Sequence, residues 1–573
     1  MAHGVYSVDE TGHLSKDNYI NCSKGLWSWL FTLDHKRIAI LYLVALIAFF
    51  FAGGIAAIFI RLHLFDPNKP LLSPDMYNAM FTLHGVLMIF LFIVPGIPAV
   101  LGNFLLPLMI GAKDVAFPRL NLLSYWIYLL GAFVGVVAII NPLWLIKYLE
   151  GSQIGKWIPL DTGWTFYAPY STTTGAGEGW GTILMTLAAF ILGFSSILTG
   201  LNFIVTIHRL RAPGLTWFKL PVFVWGIYAT SIIQVLATPV VGITLLLLIA
   251  EKVFQVGIFD PSKGGDPILY QHFFWFYSHP VVYIMVLPAF GIIGEIIPVF
   301  SRKPIFGYTA VVFSSVGIAA VSFIVWAHHM YTSGMSPFSQ AFFSATTFAV
   351  AIPTAIKVFN WVSTMYKGSI KFDVSMYYAM AFVFLFMIAG TTGIFLAVLG
   401  LDIFYHDTYF VVAHFHYTIQ GGAVIGLIAG LHFWFPKITG KMFNENVAKL
   451  AFWLIFIGFN TTFLPQFILG VQGMPRRYAF YLPEFEPMHR LSTFGTFINA
   501  TGYALALLNL AWCWVFSKSK APANPYNALG LEWQAPSPPP HDNFIKTPNV
   551  DQGRYDYGVP ISEVLDAQIN KGV

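Results

Sequence analysis

Twelve stretches of this chain are each long and apolar enough to cross a lipid bilayer, and nothing else in the sequence constrains the fold as strongly. A crossing helix needs about 20 predominantly apolar residues. Candidate spans fall at residues 38–60, 81–108, 120–141, 181–206, 222–250, 271–297, 308–330, 338–361, 374–400, 410–436, 447–470 and 490–517. Backbone amides have no water to bond inside the bilayer, so these spans must be helical. The expected fold class is all-α, a polytopic membrane protein of twelve transmembrane helices. It divides into an N-terminal segment at 1–36, a helical domain at 37–517 and a tail at 518–573.

Composition agrees. Only 10% of residues are charged, against about 25% in soluble domains, and the mean hydropathy is +0.68. A net charge of +5 over 573 residues gives no basis for nucleic-acid binding. The two cysteines, Cys22 and Cys513, stand far apart, and no CxxC occurs. A zinc ribbon, a c-type haem and a disulfide framework therefore lack support. The first 36 residues are polar and mixed in charge, without the apolar core of a signal peptide. An even number of spans puts both termini on one side. The short loops 111–119, 207–219, 301–307 and 365–372 each carry two or three Lys or Arg. The positive-inside rule then places these loops and both termini inside the cell. The Pro-, Asn- and Asp-rich tail is expected to be extended and to lie on a partner.

Seven histidines within or at the ends of spans are weighed as ligands: His84, His272, His279, His328, His329, His414 and His416. A single span histidine is more often a packing or interfacial residue than a ligand, and His272, at a span entrance, is read that way. The other six come from four spans, and the topology puts them all in the outer third of the membrane. Packing alone gives no reason for such a layer, whereas metal or haem ligation does. His414 and His416 are two residues apart and point about 200° apart on a helix. They cannot share an ion but can face two cofactors, and His84 can complete the coordination of one. His279 with the adjacent pair His328–His329 makes a three-imidazole set suited to copper or zinc.

These residues sit in motifs that resemble a known family. LDHKRIAILY (33–42), TLHGVLMIF, GNFLLPLMIGAKDVAFPRLN, HPVVY, WAHHMYTSGM, AIPTAIKVFNW, HDTYFVVAHFHYT and GMPRRY follow one another as in subunit I of the A-type haem–copper oxidases. The resemblance implies that His84 and His416 ligate a low-spin haem, that His414 ligates a high-spin haem, and that His279, His328 and His329 hold a copper facing it. It implies a cross-link between His279 and Tyr283, four residues on and therefore on the same helix face. Arg476, Arg477 and Trp164 are implied near the haem propionates. His406 and Asp407 are implied as magnesium ligands shared with subunit II. Arg61 resembles the arginine at the formyl group of haem a.

Proton paths are implied as well. Asp114, with Asn103 and Asn121, resembles the mouth and lining of one path, and Lys357 with Thr354 the centre of a second path leading to Tyr283. Many relatives of this type read HPEVY, with a glutamate that relays protons. This chain has Val281 at that place and Tyr277-Ser278 before the His-Pro, matching a subclass without the acid. Tyr277 and Val281 are four apart and share a helix face, so the Tyr277 phenol is the expected substitute.

The electron source must lie elsewhere, because no dinuclear-copper motif and no c-type haem motif occur in this chain. A subunit II carrying the dinuclear copper, and a subunit III, are implied partners. Cytochrome c and quinol are the rival donors. Met76 and Ala79 stand where quinol oxidases of this type carry His and Gln, which favours cytochrome c. A non-catalytic haem carrier is disfavoured by the three-histidine set and Tyr283, and a nitric oxide reductase by Tyr283, Asp114 and Lys357. The implied reaction is reduction of O2 to water coupled to proton pumping, in a bacterial cytoplasmic or mitochondrial inner membrane.

Overall fold

The computed structural model describes residues 17–140, 160–172, 180–544, 546–550 and 554–555. Residues 1–16 and 556–573, the two ends of the chain, lie outside the described residues. Among those described there is no β-strand, and the secondary structure is helical throughout. Eleven helices are long and apolar enough to cross a membrane, which makes this an integral membrane protein. They are α1 (His35–His63), α2 (Pro74–Ile110), α3 (Pro118–Ile140), α4 (Trp180–Arg209), α5 (Val222–Phe254) and α6 (Pro267–Ser301), then α8 (Pro337–Met365), α9 (Val374–Ala397), α10 (Tyr409–Thr439), α11 (Glu445–Val471) and α12 (Pro483–Phe516).

The remaining expected span, 308–330, differs. Its α-helical part, α7 (Tyr308–Val321), has only 14 residues. It gives way to 3-10 turns at Ser322–Ile324 and Trp326–Met330, separated by Val325 with φ −126° and ψ −5°. Neighbouring side chains on a continuous α-helix diverge by about 100°. The break at Val325 lies before both histidines and sets the short Trp326–Met330 segment apart from α7, and on it the His328 and His329 rings stand 4.3 Å apart, 44° from parallel.

Other spans also depart from a regular ladder. α2 passes into π-helix at Leu87–Ile93 and Gly96–Gly102, where Pro95 and Pro98 cannot donate to the helix ladder. α10 does the same at Ile419–Val424. The π segments that begin at Leu87 and Ile419 each start three residues after a candidate ligand, His84 and His416, and such bulges recur at functional sites.

α6 and α10 form the centre, with 89% and 83% of their most apolar window buried, against 17% for α1 and 11% for α8. Close approach at the centre depends on missing side chains. A Cβ on Gly226 would meet the Leu287 carbonyl oxygen at 2.7 Å, and one on Gly291 would meet the Phe223 Cα at 2.6 Å, so α5 and α6 touch backbone to backbone.

The described part of the tail lies on this chain, where a partner was expected. It caps the bundle end that carries the basic loops. Lys36 Nζ donates to Asn543 Oδ1 at 2.8 Å, Asn543 Nδ2 donates to the Ala112 and Lys113 carbonyls, and Arg302 donates to the Tyr526 carbonyl at 2.9 Å. Arg554 pairs with Glu295 on α6 and with Glu532, each at 2.7 Å. The carbonyl-rich tail thus satisfies cations that would otherwise be buried alone, such as Lys437, which donates to the Ala535 carbonyl.

Candidate functional site

His279 stands midway along α6. Its Nδ1 lies 3.3 Å from His329 Nε2, and one ligand nitrogen each from His279, His328 and His329 fall within 4.8 Å of one another. The His279 Nε2 is buried and has no partner, and the Tyr283 ring centroid is 4.9 Å from the His279 ring at an angle of 67°. The Thr347 hydroxyl donates to the Phe343 carbonyl, so its oxygen accepts from His328 Nδ1 at 3.1 Å. That fixes the His328 proton on Nδ1 and leaves Nε2 as a ligand. Trp275 stacks on His329, 3.7 Å between centroids and 13° from parallel. Three neutral imidazoles at this separation, one with an orphaned nitrogen, fit a copper ion.

The same device repeats at the other histidines. His84 Nδ1 donates to the Gly53 carbonyl at 2.9 Å, and His416 Nδ1 to the Val412 carbonyl at 2.8 Å. Their rings lie 6.2 Å apart, 13° from parallel. A metal bound to both at about 2 Å per imidazole requires a centroid separation of that size, so the pair fits a six-coordinate haem iron. His414 Nδ1 bonds Thr392 Oγ1 at 3.1 Å, and that hydroxyl donates to the Ile388 carbonyl. A Cβ on Gly393 would stand 3.0 Å from His414 Cε1, so the ring occupies the space a side chain would fill. Thr347, Thr392, Gly393 and Gly53 were missed in the sequence because none lies near its histidine along the chain, and Val412, one turn before His416, contributes only a backbone carbonyl that no side-chain pattern signals. His272 is half-buried and accepts from the Trp326 indole at 3.2 Å, so it braces the segment that carries His328.

The loops beyond the histidine layer gather the other expected residues. Trp164 packs over Gly85, where a Cβ would meet its Cβ and Cδ1 at 3.1 Å. The Arg477 guanidinium stands against Gly163. Arg476 pairs with Asp407 at 2.8 Å, and His406 with Asp402 at 3.2 Å. Partial desolvation by its neighbours opposes the charged form, yet the Arg476 guanidinium holds the largely exposed Asp407 carboxyl below its usual range. Burial opposes the charged form of His406, yet Asp402 and Asp407 together lift it above the usual histidine value. Asp402, four residues before His406 and facing it, is a third possible ligand that sequence reasoning missed. Arg61, at the end of α1, donates to the His489 carbonyl at 2.9 Å, and its Nε is buried without a partner.

Toward the opposite end, Asn103 and Asn121 exchange hydrogen bonds at 3.1 and 2.9 Å. Burial lifts the nearby loop carboxyl of Asp114 to a pKa of about 7, although the Val115 amide and Lys36 favour its charged form. Tyr277, Ser278 and Val281 are all buried, and Ser278 Oγ has no partner. Lys357 is fully buried, donating to Ser315 Oγ at 2.7 Å and the Val311 carbonyl at 3.0 Å. Thr354 turns its hydroxyl back to the Val350 carbonyl at 2.9 Å. No direct bond joins Lys357 to Tyr283 among the described residues.

A bundle that holds a facing imidazole pair, a separate single imidazole and a three-imidazole cluster defines a membrane metalloprotein of the haem–copper class. Residues 37–498 match the family described as "Cytochrome C and Quinol oxidase polypeptide I". The chain belongs to that family, the catalytic subunit of the haem–copper oxidases. It is 44% identical over 544 residues to cytochrome c oxidase subunit 1 of Thermostichus vulcanus, covering 93% of this chain and 94% of that one. It is also 44% identical to cytochrome c oxidase subunit 1 of Bacillus sp. (strain PS3), covering 92% and 83%. Its fold matches a solved haem–copper terminal oxidase with a TM-score of 0.71 at 19% identity, covering 94% of this chain and 97% of that chain.

Proposed function

We propose that this chain reduces O2 to water with four electrons from cytochrome c and four protons, and couples this to proton pumping. The observation that carries the proposal is the convergence of His279, His328 and His329 beside Tyr283, with the orphaned His279 Nε2 directed to no other partner. His84 and His416 would hold a low-spin haem, His414 a high-spin haem and the three-imidazole cluster a copper. When bound, the haem and copper pair supplies the electrons and open coordination that O–O cleavage needs.

The protein's own groups do the rest. Thr347 and Thr392 fix the tautomers of His328 and His414, so both rings present a lone pair. Tyr283, one turn from His279, gives up a proton and an electron at the site. Lys357, buried on α8, passes protons toward Tyr283, with Thr354 on the same helix. Asp114 takes protons from the surface past Asn103 and Asn121, and Tyr277, with Ser278 behind it, relays them without the carboxyl that Val281 replaces. A neutral phenol with a reference pKa of about 10 passes protons through water without storing charge. Arg476, Arg477 and Trp164 would neutralise and enclose propionates, where a forked guanidinium suits carboxylates, and Arg61 would meet a formyl group of haem a. His406 and Asp407, with Asp402, would offer ligands to magnesium at a surface shared with a subunit II carrying dinuclear copper. A subunit III completes the proposed assembly. The basic loops support a topology with both termini on the inner side of a bacterial cytoplasmic or mitochondrial inner membrane.

The test is a pyridine haemochrome spectrum with metal analysis of the purified complex, then oxygen uptake with reduced cytochrome c or quinol. The expected result is two haems and one copper on this subunit and rapid oxidation of cytochrome c. Rapid uptake with quinol alone would make the chain a quinol oxidase, and absence of copper would sink the mechanism.

A further inference from the structure

A buried cavity of about 40 Å³ opens between α1, α2, α3, α4, α5 and α6, room for about three waters. One wall is a hydroxyl cluster. Tyr42 Oη lies 3.2 Å from both Ser124 Oγ and Ser195 Oγ, and Thr199 and Ser196 complete that side of the cavity. Ser124 Oγ donates to the Asn121 carbonyl at 2.7 Å, which ties the cluster to the Asn103–Asn121 pair. Tyr277 lines the same cavity. Between them stands Gln234 of α5.

Gln234 is 2% exposed, and its Oε1 is buried without a hydrogen-bond partner. An unmade bond on a buried amide is destabilising, so an apolar residue would be favoured there unless water completes the bond. The side chain is also accommodated deliberately. A Cβ on Gly200 of α4 would stand 3.0 Å from Gln234 Cβ and 3.2 Å from its Oε1. Two turns earlier, a Cβ on Gly193 would stand 3.1 Å from Thr238 Cγ2. Thr230, Gln234 and Thr238 recur every fourth residue and form one face of α5, and all three carry a buried, unpartnered side-chain oxygen. Ser196 Oγ, on the facing helix and lining the cavity, is unpartnered too. Gln234 and Ser196 thus both present an unpartnered polar atom at the cavity wall, which is what a filled water cluster requires.

We propose that Gln234 is a positioning residue for proton transfer: its carboxamide orients the cavity waters between the Ser195–Ser196–Thr199 cluster and Tyr277. The proposal rests on the reading of Tyr277 as the relay and adds the group that connects it. The amide neither gains nor loses a proton. Its Oε1 accepts from one water and its Nε2 donates to the next. A proton arriving at the hydroxyl-cluster end displaces one along the water chain, and an equivalent proton leaves to the Tyr277 hydroxyl, which passes its own onward. A neutral carboxamide suits a neutral phenol, because neither fixes a charge in the apolar interior.

The experiment uses the purified complex with Gln234→Leu, Gln234→Glu and Tyr277→Phe. Proton uptake during a single turnover is followed with a pH-indicating dye in H2O and D2O, and haem spectra and copper content are measured alongside. Leucine fills nearly the same volume, so spectra and metal content should hold. Gln234→Leu should slow proton uptake roughly three- to tenfold, the equivalent of one lost hydrogen bond, with a larger solvent isotope effect. Gln234→Glu should recover most of the rate at low pH, where the carboxyl is protonated, and lose it as pH rises. A residue that only packs would leave the isotope effect and the pH profile unmoved. Slow uptake in Tyr277→Phe with parental uptake in Gln234→Leu overturns the role of Gln234 alone. Parental uptake in both overturns the relay reading with it, and slow uptake in Gln234→Leu alone overturns the link from Gln234 to Tyr277, because the path would then bypass the phenol.

Discussion

The Tyr283 ring stands one helical turn from His279 on α6, 4.9 Å between centroids, beside the imidazole nitrogen that has no partner. A tyrosine in this position can bond covalently to the ring or exchange a proton at the site, and a phenylalanine can only pack. Tyr283→Phe is therefore expected to keep both haems and the copper, with little change in thermal stability, while oxygen consumption falls about 100-fold or more. Near-parental oxygen consumption would show that the hydroxyl has no part in the chemistry.

Lys357 should behave differently. Its side-chain nitrogen is fully buried and bonded to Ser315 Oγ and the Val311 carbonyl, and among the described residues no carboxylate pairs with it. Lys357→Met is expected to leave the metal centres assembled and to slow their anaerobic reduction in stopped-flow measurements, because electrons entering an apolar site need compensating protons. Reduction at the parental rate would make the lysine a packing residue.

Gly393 tests the geometry of the single imidazole. An added methyl group would stand 3.0 Å from His414 Cε1, tighter than normal carbon contact of about 3.5–4.0 Å. Gly393→Ala should tilt the ring, weaken its Thr392 bond and alter the high-spin haem spectrum while the low-spin spectrum stays unchanged. Identical spectra for both haems would mean that His414 does not ligate.

Asp114 gives a pH dependence with a definite sign. Burial raises its carboxyl from 3.8 to about 7 in the folded protein. The folded state therefore holds a proton that the unfolded chain has released between those values, and this group's contribution to stability falls as pH rises through that window. Asp114→Asn removes that loss, so the variant should gain thermal stability relative to the parent at pH 8 compared with pH 4. In vesicles the same substitution should suppress pumping and remove a titration near neutral pH from the proton-uptake rate. An unchanged pH profile would place Asp114 off the path.

Much of this protein is legible in the sequence. Apolar runs of sufficient length fix an all-helical membrane fold, because an unpaired backbone amide in lipid is too costly for anything else. Histidine spacing follows from helix geometry, which separated His414 from His416 and placed Tyr283 within reach of His279 before any coordinates. What stayed hidden depends on contacts between residues far apart in the chain. The span at 308–330 reads as an ordinary helix in composition, yet its α-helical ladder ends at Val321, and His328 and His329 sit on a separate 3-10 turn. Thr347 and Thr392 set histidine tautomers from 19 and 22 residues away. The tail, polar and proline-rich, announced an extended chain but not its surface, since the cations it satisfies, Lys36 and Lys437, are 505 and 98 residues distant. Gln234 reads as one polar residue in an apolar span until the fold sets its unpaired oxygen opposite Ser196 across a cavity. Hydrophobicity and helical period act locally and can be read from order alone. Hydrogen bonds across the bundle are decided only when the helices pack.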